Sequence, residues 1–179
     1  MERDDIDTFS SLIEYADEKG IVFRINDDNK NEEFPFHWVI KKNNIELMKQ
    51  FLEYLSYHQI HLNFNSKDND GNFPLLLAIN QNNMEIIKLL ISFAEKHNIV
   101  LNFNLTNNNG DSPILLVIKN EDEATFKELL NYAEYFNITI KISKDDTSEE
   151  FLNIINKYKN KVRIVFINSD GKLIYEKIL

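Results

Sequence analysis

Lys67-Asp68-Asn69-Asp70-Gly71-Asn72-Phe73-Pro74-Leu75-Leu76-Leu77-Ala78-Ile79, followed by Asn83-Met84-Glu85-Ile86-Ile87-Lys88-Leu89-Leu90-Ile91, decides the fold. Asp68 to Gly71 is a polar turn that closes on glycine. Pro74 then opens an apolar run, and proline suits a first helical turn, where its missing N–H costs nothing. Downstream, Ile86, Leu89, Leu90 and Phe93 recur at i, i+3, i+4 and i+7, the spacing of one buried helix face. The stretch reads as a turn followed by two helices.

The same pattern returns every 39 residues. Pro35, Pro74 and Pro113 are the three prolines of the chain, and each precedes an apolar run. Asn44-Ile45-Glu46 matches Asn83-Met84-Glu85, and Asp5-Ile6-Asp7 stands 39 before the first. Leu12-Ile13, Phe51-Leu52, Leu90-Ile91 and Leu129-Leu130 form one column, and Tyr15, Tyr54, Phe93 and Tyr132 another. The second helix of each unit ends at Gly20, Gln59, Asn98 or Asn137. Three of these four are Gly or Asn, which tolerate the left-handed position beyond a helix end.

Alternating residues follow each end: Ile21, Phe23, Ile25; Ile60, Leu62, Phe64; Ile99, Leu101, Phe103; Ile138, Ile140, Ile142. Period two predicts short strands with one buried face, stacked as a ladder. The chain therefore divides into a partial repeat at 1–26, repeats at 27–65, 66–104 and 105–143, and a degenerate cap at 144–179. Within the cap, Thr147 to Ile155 aligns with a second helix, and Val162, Ile164 and Phe166 supply a fifth strand. Ser169-Asp170-Gly171-Lys172 copies the turn Asn69-Asp70-Gly71-Asn72. Residues 173–179 continue as the return strand of a hairpin or as the start of a helix, with alternation favouring the hairpin.

Composition narrows the function classes. The 29 acids outnumber the 20 bases, for a net charge of -9, so nucleic acid phosphates and anionic membranes are disfavoured partners. Cysteine is absent, which removes disulfides, thiolate zinc sites and cysteine nucleophiles. The longest apolar run, Pro74 to Ile79, is far short of a membrane span, and no secretory signal is legible after Met1. A cytoplasmic location is favoured on that basis. Asn occurs 25 times, so no single Asn carries weight alone.

The unit from Lys67 to Asn104 resembles the ankyrin repeat. Asp68-x-x-Gly71-x-x-Pro74-Leu75-x-x-Ala78 looks like its turn and first-helix start, and Glu85-Ile86-Ile87-Lys88-Leu89-Leu90-Ile91 like its second helix. The resemblance covers residues 5 to 143. The departures are a 39-residue period against the family's usual 33 or so, and Phe34, Phe73 or Ser112 at the family's Thr position. His37, Leu76 or Leu115 stands at its His position, Asn43, Asn82 or Glu121 at its inter-helix Gly, and Glu32 at the first turn Gly. A HEAT-type solenoid has a similar period but lacks the strand and the turn. The resemblance implies a mostly α fold: a solenoid of stacked helix pairs with short strands or β-turn fingers and a C-terminal capping strand or hairpin.

Catalytic and metal chemistry finds little support. His58 and His97 share a repeat position with Phe136, which marks packing. His61 falls on the solvent face of a strand, and His37 is expected to hydrogen-bond locally in the core. No two His lie at i, i+4, as a helical zinc pair would need. Read as a calcium loop, Ser66 to Leu77 lacks the first and last acidic ligands. Glu32-Glu33 and Glu149-Glu150 are adjacent solvated carboxylates, and no phosphate loop or nucleophile elbow occurs. Lys157 to Arg163 is a basic run that reads as a solvated loop. No enzyme activity, metal or cofactor is expected.

What remains is a surface. By the resemblance, turn tips and first-helix exteriors line a concave face that binds another protein. The first unit contributes Lys30, Asn31, Glu33, Lys41 and Lys42; the second Asn69, Asp70, Asn72, Asn80 and Gln81; the third Asn108, Asn109, Asp111, Lys119 and Asn120. Trp38, Leu77 and Leu116 add an apolar column facing the groove, and Trp is a frequent anchor in interfaces. These positions vary while the core columns persist. The expected function is a monomeric, non-catalytic protein-binding scaffold. The alternative is a structural repeat module of a longer repeat protein.

Overall fold

The structure is a computed structural model that describes residues 2–23, 25, 35–143, 145, 147–158, 162–168 and 172–177. Lys30, Asn31 and Glu33, the first turn with Glu32, and the turn at 169–171 lie outside the described residues. The elements are α1 (Glu2–Lys19), α2 (Pro35–Lys41), α3 (Ile45–Tyr57), α4 (Pro74–Asn80), α5 (Met84–Lys96), α6 (Pro113–Lys119), α7 (Glu123–Tyr135), β1 (Ile140–Ser143), α8 (Glu149–Tyr158), β2 (Ile164–Ile167) and β3 (Leu173–Lys177). They fall into two compact units, Met1–Phe93 and Ala94–Leu179.

The 39-residue period governs each boundary. Pro35, Pro74 and Pro113 open the short first helices α2, α4 and α6. Asn44, Asn83 and Asp122, one column, accept the free N–H groups of Leu47, Ile86 and Thr125 and so cap the second helices. Gly20, Gln59, Asn98 and Asn137 all take positive φ, between 53° and 64°. At each, two backbone bonds close the helix end, as in Asn98 N–H to Glu95 C=O and Ile99 N–H to Ala94 C=O. The inter-helix residues Asn43, Asn82 and Glu121 are left-handed as well, near 53°. α1 begins at Glu2, three residues before the expected start.

Aromatic and aliphatic columns fill the core of each unit. In the first unit, Phe36 stacks on Phe51 at 5.7 Å and meets Phe64 edge-on at 4.8 Å. In the second, Phe103 lies 5.6 Å from Tyr132, and Phe126 meets Phe151 at 5.1 Å. All of these rings are nearly solvent-free, which is where their large apolar area contributes most.

The expected strand ladder is not formed at 60–64 or 99–103, which run without strand pairing. Their alternating burial persists: Leu101 and Phe103 are buried while Val100 and Asn102 are exposed. Tyrosine hydroxyls replace the ladder. Tyr54 Oη accepts the Phe23 N–H at 2.9 Å and donates to Ile21 C=O at 3.0 Å. Tyr132 Oη makes the equivalent pair, accepting from Leu101 N–H and donating to Ile99 C=O. In each of these two segments one backbone N–H and one C=O are thereby satisfied without a neighbouring strand.

Among the described residues, regular pairing appears only where the end of the third repeat meets the cap. β1 pairs β2 in parallel and β2 pairs β3 antiparallel, so 164–177 is a hairpin rather than a strand and a helix start. Asn168 and Lys172 frame its turn: Asn168 N–H donates to Lys172 C=O, and Lys172 N–H to Asn168 Oδ1. Asp68 and Asn72 are joined in the same two ways.

Candidate protein-binding surface

The turns are built alike. Asp68 Oδ1 accepts the N–H groups of Asp70 and Asn72 at 3.1 and 2.8 Å, and Gly71 N–H returns to Asp68 C=O at 2.8 Å. Asn107 repeats this, accepting from Asn109 and Asp111 at 3.0 and 2.9 Å. Gly71 and Gly110 take φ of 75° and 82°, a region that side chains with a Cβ enter at a cost. Each turn is thus locked from inside, and its tip is left to solvent. In the first unit Asn69, Asp70 and Asn80 are exposed and Asn72 is half-buried; in the second Asn108, Asn109, Lys119 and Asn120 are exposed.

Several surface candidates have internal partners instead. Lys41 Nζ reaches Asp68 Oδ2 at 3.0 Å, and the Asp68 side chain is 2% exposed. Burial opposes ionisation of Asp68, but the Lys41 ammonium and the Asn72 N–H outweigh it and hold the carboxyl below its usual range. Lys41 is therefore a structural cation. Gln81 Nε2 donates to Lys41 C=O at 3.1 Å, and Lys119 pairs with Asp111 at 3.2 Å.

The apolar column divides. Leu77 is 7% exposed and packs in the core, which corrects its placement on the groove. Pro74 to Ile79 of its helix α4 are all buried, which leaves Asn80 as the exposed residue of that helix. Trp38 is half-buried, with Phe9 at 5.0 Å and the Lys42 ammonium 5.0 Å above the ring. Leu116 is also half-buried.

His37 is buried as expected, but its Nε2 lies 3.0 Å from Ser66 C=O, 29 residues on in the next repeat, rather than bonding locally. Burial pushes its imidazole below the usual range. His58 packs on Tyr54 at 4.4 Å and reaches Asp17 Oδ1 at 2.7 Å, while its counterpart His97 is exposed, so the shared column does not mean shared packing. Among the described residues, no group of three or more His, Asp or Glu side chains is placed to hold a metal ion.

The second unit also contains a cleft of about 260 Å³ that was not legible as a site. Lys141 and Ser143 of β1 line it with Asn104. A signal existed: Asn63 and Asn102 each cap the turn two residues on, and Lys141 interrupts that 39-residue column.

Against known families, the model for ankyrin repeats (3 copies) matches residues 2–100 and, overlapping it, 37–142. The chain belongs to the ankyrin repeat family. It is accordingly a mostly helical repeat protein with a few short strands. Ankyrin repeats are generally protein-interaction modules and are typically non-enzymatic. No curated protein matches the chain. Among the described residues no helix is long and apolar enough to cross a membrane.

Proposed function

We propose that this ankyrin repeat chain is a non-catalytic scaffold that binds another protein through its turn tips and the exteriors of its first helices. The carrying observation is the separation of roles within each turn: Asp68 and Asn107 consume the inner hydrogen bonds, and Asn69, Asp70, Asn108 and Asn109 are left exposed on a fixed backbone. A surface held this way loses little conformational entropy on binding. Asn72, Asn80, Gln81, Asp111, Lys119 and Asn120 extend the polar surface, and Trp38 with Lys42 and Leu116 offer the partly exposed apolar area. The repeats are taken as 27–65, 66–104 and 105–143.

A second reading, a structural module packed against a further repeat, is favoured by α1. Leu12 and Tyr15 are 46% and 53% exposed, where Phe51 and Tyr54, one repeat on, are 0% and 1%.

Affinity capture from a lysate of the source organism separates the two. The baits are the parent, a tip variant (Asn69→Arg, Asp70→Arg, Asn108→Arg, Asn109→Arg) and a second-helix variant (Glu53→Arg, Lys127→Glu). A protein held by the parent and the second-helix variant, and lost by the folded tip variant, supports the scaffold. A protein held by all three and lost only by a fourth bait carrying Leu12→Lys and Tyr15→Lys supports the module.

A further inference from the structure

The cleft of the second unit lies between the third turn, α6 and the sheet. Leu115 and Ile118 of α6 and Ile167 at the end of β2 give it an apolar lining. At about 260 Å³ it falls just below the roughly 300–1,000 Å³ of drug-sized ligand sites, so one or two side chains fill it. Among the described residues, Lys141 is its only charged lining residue. Its ammonium makes no ion pair among the described residues, whereas Lys119 on α6 is already held by Asp111. In a chain of net charge -9, an approaching carboxylate is repelled by most of the surface and attracted here.

The position of Lys141 is set in advance. Asn104 Nδ2 donates to Thr139 C=O at 2.9 Å, and Asn104 Oδ1 accepts the Lys141 N–H at 3.0 Å. That bond lies on the side of β1 away from β2, because Ile140 N–H points the other way, to Arg163 C=O. Ser143 follows Lys141 in the same alternation, and its Oγ is buried without a hydrogen-bond partner among the described residues. Asn104 thus occupies that edge of β1, and Lys141 and Ser143 give the cleft an ammonium and a hydroxyl beside its apolar hollow. An extended peptide with a carboxylate is the matching chemistry, since its carboxylate and carbonyls supply acceptors for the ammonium and the hydroxyl and an alternate side chain enters the hollow.

We propose that this cleft seats one apolar side chain of an extended acidic peptide, with a neighbouring carboxylate held by Lys141. The proposal rests on the protein-binding reading and names the chemistry of the segment bound.

The test is a nitrogen-15 amide titration of the full chain with the peptide acetyl-Ser-Glu-Leu-Glu-Ser-amide. Two control peptides replace its leucine with alanine or both glutamates with glutamine. Shifts are expected at Lys141, Ser143 and Ile118, with affinity about tenfold weaker for Lys141→Glu, for Leu115→Trp and for each control peptide. Both positions are at least partly exposed, so the variants retain the parent's spectrum elsewhere. Equal affinity of Lys141→Glu and parent, or no shift at the cleft, overturns the proposal. Shifts confined to Asn69, Asp70, Asn108 and Asn109 also overturn it, while leaving the protein-binding reading in place. Cleft binding by the peptide in a chain that captures no protein supports the cleft and counts against that wider reading.

Discussion

Phe93→Tyr raises stability, whereas Tyr54→Phe and Tyr132→Phe lower it, if hydroxyls stand in for a strand ladder. Phe93 occupies the column of Tyr54 and Tyr132 and stacks on Phe64 at 5.5 Å, much as Tyr132 meets Phe103. By the 39-residue offset its missing hydroxyl faces Ile60 C=O and Leu62 N–H, the counterparts of Ile21 and Phe23. Neither group has a hydrogen-bond partner among the described residues. Phe93 is 8% exposed, so its ring edge is not walled in as completely as Tyr132 at 0%. A hydroxyl there makes two hydrogen bonds, each contributing about 0.5–1.5 kcal/mol net. Ring desolvation offsets part of this, and a gain of about 1 kcal/mol remains. Removing the Tyr132 hydroxyl leaves a donor and an acceptor unpaired in a buried site and costs about 2–3 kcal/mol. Tyr54→Phe costs somewhat less, because its bonds are partly open to water. Urea unfolding read by circular dichroism measures all three. Amide exchange at Phe23 and Leu101 localises the loss, since repeat proteins can depart from two-state unfolding. A neutral or destabilising Phe93→Tyr, with unchanged exchange at Leu101 in Tyr132→Phe, refutes the reasoning.

Gln59→Gly relieves a left-handed residue that lacks glycine's freedom and stabilises by about 0.5–1 kcal/mol, read as a higher urea midpoint at unchanged slope. Asp68→Ala strands two turn N–H groups and the Lys41 ammonium and costs about 2 kcal/mol, while Asp68→Asn, which copies Asn107, costs about half as much; thermal melting ranks them. Lys41→Glu lowers the melting temperature, unlike Lys42→Glu, because only the former sets a second carboxylate beside Asp68. His37 is held below its ordinary range by burial, so the unfolded chain takes up that proton first, and stability falls as pH drops below about 6.5. Asp68, also held low, contributes stability above about pH 4 that is lost as pH falls further through its folded value. Melting curves of the parent and His37→Leu, which copies Leu76 and Leu115, should therefore diverge in slope between pH 7 and 5; parallel curves would remove His37 from the account.

The repeat was legible because its signals are local. Proline at each first helix, Asn or Asp at the caps of α3, α5 and α7, and Gly or Asn at three of the four helix ends are single-residue demands of backbone geometry, and they recur at one offset. Alternation at Ile99-Leu101-Phe103 marks one buried face. It cannot distinguish a strand from an extended segment whose hydrogen bonds go to a tyrosine, because both bury every second residue. The aromatic column was readable as packing, but the hydroxyl's role depends on a segment some thirty residues upstream. The same distance hid the Lys41–Asp68 pair, which turned a candidate contact residue into part of the scaffold. Leu77 was placed by analogy with Trp38 and Leu116, yet burial depends on what covers a helix, which its own period does not encode.

Photo-crosslinking tests the central claim most directly. A benzoylphenylalanine residue is placed at Asp70 or Asn109 on the turn tips, or at Glu53 or Lys127 on the second helices, and the chain is irradiated in lysate. The account gives a crosslinked protein from the tip positions and none from the second helices. The same protein crosslinked only from Glu53 or Lys127, or no crosslink from either tip, contradicts it.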